Sequence, residues 1–372
     1  MKTRCPHCQK MMETSADTNG MEVECPVCKQ KFTVSPALKV LGNNTKKTVF
    51  LVVLAIFLVA GIAGVFYIAN RKPSVVQLPI PTTQTGQTSG QTGQTTLPET
   101  ESRFLNVASK TFTLSDGVEL KLIRIPNGRF LMGSPTEESG REPDERQHWV
   151  TLSHDFYLGE TEITQGQWKA IMKTDVRALE AKGNASGSVA GVVDNHPMYF
   201  VTWEEAMKFC EELNKRYSQQ LNGKWKFTLP TEAQWEYACR GGTTTALNNG
   251  TNLTIDRCSN LGKVGWYDGN SGNETHAVRR LAANKFGLYD MHGNVWEWCL
   301  DYCNWDRNSG VVTDTYSGEQ KDPVCSTGSY RVLRGGSWGS SAWYCRSADR
   351  GCHGPTDRNS YAGFRVALVP VD

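Results

Sequence analysis

At 372 residues the chain exceeds what one compact domain needs and predicts at least two units. Its 40 basic and 38 acidic side chains leave a net charge of +2, which argues against a polybasic nucleic-acid binder and against an acidic tail protein. All 11 tryptophans lie at or after Trp149, and the 12 cysteines divide into four near the N-terminus and eight after residue 209, with one long apolar run between the groups. A purely soluble chain is therefore not expected.

Residues 1–36 open with Cys5-Pro6-His7-Cys8 and continue to Cys25-Pro26-Val27-Cys28, a C-x2-C-x16-C-x2-C pattern. Two thiolates three residues apart fit one tight knuckle, and two knuckles offer four sulfurs in a tetrahedron, which suits zinc. Met21–Glu24 and Lys31–Val34 read as short strands carrying the second knuckle. The pattern resembles a zinc ribbon with Cys5, Cys8, Cys25 and Cys28 as ligands. A segment this small lacks a sufficient core, so a metal is a reasonable staple. The other reading, two structural disulfides, needs an oxidising compartment. His7 is not required once four cysteines close the site. The expected partner of the ribbon is a cytoplasmic protein, and its modest basicity does not call for nucleic acid.

Residues 37–47 form a basic juxtamembrane segment, and Thr48–Ala69 follow as 22 residues without charge or proline. At helical rise they reach about 33 Å, enough to cross a hydrocarbon core. A cleaved signal peptide would have a shorter apolar core nearer the N-terminus. A buried core helix rarely stays uncharged for so long. Residues 1–47 hold eight Lys/Arg, and none occurs between Lys72 and Arg103. The positive-inside rule then places the N-terminus in the cytoplasm and the C-terminal part outside, periplasmic or extracellular. Residues 70–101 are rich in Gln, Thr, Gly and Pro and read as a disordered linker. Leu97-Pro98-Glu99-Thr100 within it has the look of a sortase motif but lacks the following apolar tail, and reads as chance.

Residues 102–372 form the second unit. Thr164 to Gln167, Thr202 to Glu205 and Thr231 to Gln234 are capping boxes, each opening a helix. The first should bury Trp168 and Met172. The second should bury Ala206, Phe209, Cys210 and Leu213 on one face, and the third Trp235 and Ala238 before Gly241 stops it. Strand candidates are Leu120–Ile125, Arg129–Met132, Trp149–Leu152, Phe156–Leu158, Arg331–Leu333 and Phe364–Leu368. The expected class is α+β with long irregular loops.

Seven motifs follow one another in this unit: Ile125–Ser134 (IPNGRFLMGS), Glu162–Trp168 (EITQGQW), Val201–Trp203 with Ala206 and Phe209-Cys210, Leu229–Ala238 (LPTEAQWEYA), Gly287–Trp298 (GLYDMHGNVWEW), Leu333–Trp338 (LRGGSW) and Gly363–Val366 (GFRV). In this order they resemble the formylglycine-generating enzyme, or sulfatase-modifying factor, domain over residues 115–370. The resemblance implies a C-type-lectin-like α+β fold with little regular secondary structure and bound calcium. Its first calcium site would use the side chains of Asp290 and Glu297 and the carbonyls of Gly293 and Val295. The second would use Asn260, the Leu261 carbonyl, Asn270 and the Gly272 carbonyl. Oxygen-rich loops of this kind suit a hard cation, and the same residues also serve as plain turn formers.

Catalytic members of the family oxidise a substrate cysteine with O2 and a copper ion held by a C-x4-C pair, since soft Cu(I) wants two adjacent thiolates. Counting back from Gly363, the two copper positions fall on Ala342 and Ser347. Counting forward from Gly335, the first falls on Cys345. Neither placement supplies two cysteines, and Cys345 and Cys352 are spaced C-x6-C. Loss of the copper pair is the simplest reading, with Cys345, Ser347 and Cys352 at or near the relevant loop. Eight cysteines outside a membrane favour disulfides, Cys239 with Cys345 being one guess, while Cys210 reads as a buried thiol. The abundant Trp and Tyr read as core filling rather than as a stacking groove.

Two functions fit. One is a membrane-anchored, non-oxidising member that binds a peptide or glycan-like ligand. The other is a formylglycine-generating oxidase acting on a sulfatase cysteine with copper. A third member of this domain group, an iron-dependent sulfoxide synthase, needs a helical His cluster that this sequence lacks.

Overall fold

The computed structural model describes residues 108–371 apart from 184, 190, 255–256, 307–310 and 313–317, together with four short strands within residues 2–33. Two units separate, Met1–Thr92 and Gly93–Asp372. In the first, β1 (Lys2–Arg4) pairs antiparallel with β2 (Met11–Glu13), and β3 (Glu22–Glu24) with β4 (Lys31–Thr33). The second hairpin coincides with the two strands expected there; the first has no counterpart among the expected strands. One C-x2-C motif falls in the sequence between the strands of each pair, and all four cysteines lie outside the described residues. So do the basic segment, the apolar run 48–69 and the linker. Among the described residues no helix is long and apolar enough to cross a membrane.

In the second unit β5 (Ser109–Ser115) and β6 (Val118–Ile125) form a hairpin, and β7 (Gly128–Met132) pairs with β8 (His148–Leu152). Next come β9 (Phe156–Gly159), α1 (Gln165–Met172), α2 (Val176–Glu180) and α3 (Trp203–Arg216). They are followed by β10 (Trp225–Thr228), α4 (Glu232–Arg240), β11 (Trp296–Cys303), β12 (Tyr330–Arg334), β13 (Gly351–His353), β14 (Ala362–Gly363) and β15 (Ala367–Pro370). One sheet has the order β10-β15-β9-β6-β5 and a second β13-β12-β11-β14.

The three capping boxes form as expected: Thr164, Thr202 and Thr231 each accept from the N3 backbone N–H, and the N3 side chain returns a bond to the cap. Gly241 ends α4 in the left-handed region at φ 53. Short polar side chains thereby satisfy amides that would otherwise be orphaned at each helix start. The helices press Trp168, Phe209 and Leu213 into the first core, where Trp168 stacks on Phe209 at 5.8 Å and meets Phe364 edge-on. Cys210 is a buried thiol, as expected. Met172 is only partly buried.

One strand is shifted. The apolar run Phe364–Leu368 predicts a strand, but the ladder covers Ala367–Pro370. Phe364 and Val366 instead accept single backbone bonds from Ile163 and Gly159. Their side chains are held by core packing, which an apolar pattern reports without specifying a ladder.

Candidate functional site

A cavity of about 790 Å³ opens between β12, β13 and the loop that joins them. Six aromatic side chains line it: Trp296, Trp305, Tyr330, Trp338, Tyr344 and Tyr361. The expectation that aromatics serve only the core is corrected here. Trp168, Trp235 and Trp298 are fully buried, whereas these six face the cavity. Gly335 and Gly336, with φ 96 and 75, turn the chain just before the lining residues Ser337 to Ser341. A Cβ on Gly336 would stand 2.5 Å from the Cys345 sulfur, so only glycine admits this approach. Ala342–Cys345 then form a short 3-10 turn that presents Tyr344.

Below the cavity lies a buried ionic network. Arg346 donates to Glu138 at 2.8 Å, to both oxygens of Glu145 at 2.7 and 2.6 Å, and to Asp349 at 3.2 Å. Arg350 donates to both oxygens of Glu232 at 2.7 and 2.9 Å and stands 3.5 Å from Asp144. Arg334 pairs with Glu236, which also accepts from Arg240 at 2.8 Å. Burial pushes the Asp144 carboxyl up to about 6 and raises Asp349 well above the carboxylate range. Arg346 lies against Glu145 closely enough that Glu145 stays below its ordinary value despite burial. The segment 134–146, which supplies Glu138, Asp144 and Glu145, was not singled out in the sequence. Its signal is a run of carboxylates at Glu137, Glu138, Glu142, Asp144 and Glu145 facing the arginines at 346 and 350.

The residues at the copper positions have other employment. Ala342 is a buried methyl in a small apolar cluster. The Ser347 hydroxyl donates to the Ala246 carbonyl at 3.0 Å and accepts from the Cys239 thiol at 3.6 Å. Cys345 is buried beneath Gly336, and Cys352, on the cavity wall, is hydrogen-bonded to the Cys303 thiol. The Cys303 hydrogen bond and nearby Arg350 hold the Cys352 thiol below its ordinary value despite burial. This set does not fit Cu(I).

The expected disulfides are absent. All eight cysteines of this unit are free thiols, including Cys239 and Cys345. Cys239 lies 3.9 Å from His292 Nε2, but burial pushes the thiol up to about 12 and the imidazole down to about 4. His292 donates from Nδ1 to the Cys345 carbonyl at 2.7 Å and accepts at Nε2 from the Asn248 amide at 3.0 Å. Those partners make it a neutral structural histidine, and the pair is no thiolate–imidazolium dyad.

The first expected calcium site gathers three buried carboxylates, Glu162, Asp290 and Glu297, around one buried arginine. Arg365 donates to both Glu297 oxygens at 2.6 Å. Glu162 accepts from the Val295 amide and the Asn294 side chain at 3.2 Å. Asp290 accepts from the Arg279 amide through Oδ2, while its buried Oδ1 has no partner. Burial pushes Asp290 up to about 6, and burial with the neighbouring carboxylates raises Glu162 well above its usual range. Asp290 and Asn294 adopt left-handed backbone, curling the Asp290–Glu297 loop. What this set offers a hard cation is the unpartnered Asp290 Oδ1, since both Glu297 oxygens accept from Arg365 and Oε2 also from the Trp235 indole. At the second expected site, Asn270 accepts from the Tyr267 amide and donates to the Gly265 carbonyl, while Lys263 donates to Asn260 Oδ1 at 3.3 Å. Here the asparagines close turns and an ammonium stands on the oxygen, so this set does not fit calcium. No cluster of three His, Cys, Asp or Glu arranged for a metal occurs among the described residues.

Comparison with known proteins bears on the whole second unit. The family described as "Sulfatase-modifying factor enzyme 1-like domain" matches residues 113–369. A formylglycine-generating enzyme of Thermomonospora curvata is 33% identical over 221 residues, spanning 55% of this chain and 64% of that protein. The chaperone protein LppX of Paenibacillus barcinonensis is 30% identical over 236 residues, spanning 52% of this chain and 72% of that protein. The solved structure of Treponema denticola variable protein 1 superposes with a TM-score of 0.56 at 32% identity, over 70% of this chain and 98% of that one. The mixed architecture, the seven ordered motifs and the matched span agree: the chain belongs to the sulfatase-modifying factor enzyme 1-like domain family.

Proposed function

We propose that residues 102–372 are a non-oxidising, ligand-binding member of this family, anchored in a membrane by residues 48–69 and joined to a cytoplasmic zinc ribbon. One observation carries the reading. No two cysteines anywhere in the chain stand five residues apart, so no C-x4-C pair exists. A serine hydroxyl and an alanine methyl cannot hold Cu(I) as thiolates do. Cys345 and Cys352 have separate surroundings, one beneath Gly336 and one against Cys303.

The cavity is the ligand site in this reading. Its size falls within the range of organic-ligand pockets, and its aromatic walls offer stacking area for a peptide or glycan-like ligand. Asp290, Glu297 and the carbonyls of Gly293 and Val295 would hold calcium, which would offset the buried negative charge and fix the loop leading into Trp296. Calcium brings no redox chemistry.

The other reading, a formylglycine-generating oxidase, draws support from the relatives that bear that name and from the Cys303–Cys352 thiol contact at the cavity wall. Thiol mapping of the full chain by mass spectrometry, with and without Cu(I), separates the two. The proposal expects no copper protection of any cysteine in the second unit and no aldehyde formed on a sulfatase-type cysteine peptide in air. Two copper-protected thiols together with peptide oxidation would overturn it.

A further inference from the structure

The cavity has an acidic floor as well as aromatic walls. Glu142, Asp144 and Asp349 line it. The side chains of Asp144 and Asp349 are 4% and 3% exposed. Asp144 Oδ1 and Asp349 Oδ2 are both buried without a hydrogen-bond partner. Buried carboxylate oxygens are normally satisfied, so two orphans at one cavity mark a missing donor. The surrounding charge points the same way. The network beneath holds six buried carboxylates (Glu138, Asp144, Glu145, Glu232, Glu236 and Asp349) against four buried guanidiniums (Arg240, Arg334, Arg346 and Arg350). Arg350 also lines the cavity, but two of its hydrogen bonds go to Glu232.

An inorganic ion would leave most of this space unfilled, because the volume of about 790 Å³ is that of an organic ligand. Aromatic rings beside carboxylates make a setting in which an organic cation gains from both ring faces and charge pairing. We propose that the cavity binds a guanidinium or alkylammonium group, seated against Asp144 and Asp349 and flanked by the rings of Trp338, Tyr344 and Tyr361. This rests on the reading of the cavity as the ligand site. The cation belongs either to a basic side chain of a peptide or to a free small amine.

The test uses the full chain, with tryptophan fluorescence and calorimetry as readouts. The probes are N-acetylarginine amide, its uncharged norleucine analogue, its glutamate analogue, and a pentapeptide with one central arginine between glycines. The arginine probe should bind at least about tenfold more tightly than the norleucine probe, and the glutamate probe more weakly still. Asp144→Asn and Asp349→Asn should each weaken arginine binding about tenfold. Both sites are buried, so Tyr344→Ala, at a residue 52% exposed, supplies a variant that keeps the fold; it should cost about threefold. Tighter binding of the pentapeptide assigns the cation to a peptide, and tighter binding of the free amide assigns it to a small molecule. Equal binding of the arginine and norleucine probes overturns the inference while leaving a ligand-binding cavity. Displacement of the arginine probe by calcium alone overturns it in favour of an inorganic ion. Absence of binding by every probe overturns both this inference and the ligand-site reading. Oxidation of a cysteine peptide would sink the non-oxidising reading without touching the charge preference.

Discussion

If calcium sits where proposed, beside the buried carboxylates Glu162, Asp290 and Glu297, it competes there with protons, and the competition can be read from thermal melts. In chelator, the folded-state carboxyl of Asp290 sits at about 6 against an ordinary 3.8. Between those values the folded chain holds a proton that the unfolded chain has released. Stability in chelator therefore falls as pH rises through that window. The shift corresponds to about 3 kcal/mol lost by pH 7 from this wholly buried group. Glu162, raised in the same direction, adds to it. Calcium at about 100 times its dissociation constant returns about 2.7 kcal/mol, or roughly 5–10 °C for a domain of this size. That gain should shrink as pH drops from 7 to 5, because protonated Asp290 weakens calcium binding by about tenfold, or about 1.4 kcal/mol. Asp290→Asn removes the titration but keeps an oxygen. It should melt higher than the parent in chelator at pH 7, and its calcium gain should depend less on pH. Scanning fluorimetry from pH 5 to 8 with EGTA or calcium measures all of this. A melting point indifferent to calcium, or an Asp290→Asn variant less stable than the parent in chelator at pH 7, would refute the reasoning.

Three further outcomes are expected. Native alkylation should label the partly exposed Cys325 and Cys352 well before Cys210 and Cys239, whose thiols burial holds protonated; peptide mapping that finds a disulfide on any of the eight would contradict it. Arg346→Met should cost about 3–5 kcal/mol in urea unfolding, because it strands Glu138, Glu145 and Asp349 in the interior. A cost under about 1 kcal/mol would mean that the network relaxes into water. Thr231→Ala should lower stability by about 1 kcal/mol through loss of the Gln234 amide bond at the start of α4, and an unchanged urea midpoint would deny the cap that role.

The helices were legible because a capping box is a local device. Thr164, Thr202 and Thr231 each meet their partner three residues on, so the sequence contains both halves of the interaction. Strands such as β7 and β8 were legible through short apolar stretches, but their pairing was not. The cavity was not, because its parts come from distant places. Glu138 and Glu145 meet Arg346 across 208 and 201 residues. Only the fold brings segment 134–146 under the loop after β12. The cysteine count misled for a related reason. An even number permits disulfides, but geometry and burial decide, and Cys210, Cys239 and Cys299 are spent as small apolar fillers. Tryptophan count misled in the opposite direction, since the same residue type fills the core at Trp235 and walls the cavity at Trp338.

These failures share a cause that bears on function. A family motif reports the residues that build the scaffold, and Gly335-Gly336-Ser337-Trp338 does so by letting Cys345 approach the turn. What the scaffold presents is decided by the residues between motifs, Ser340 to Asp349 and Glu137 to Glu145. There this chain carries no cysteine pair but does carry acids with unspent oxygens. In the proposed reading, the two unpartnered carboxylate oxygens and the missing C-x4-C pair would suit this cavity to a positively charged ligand. The two proposals are therefore tested separately, cation binding by the arginine probes and the absence of a copper site by thiol mapping.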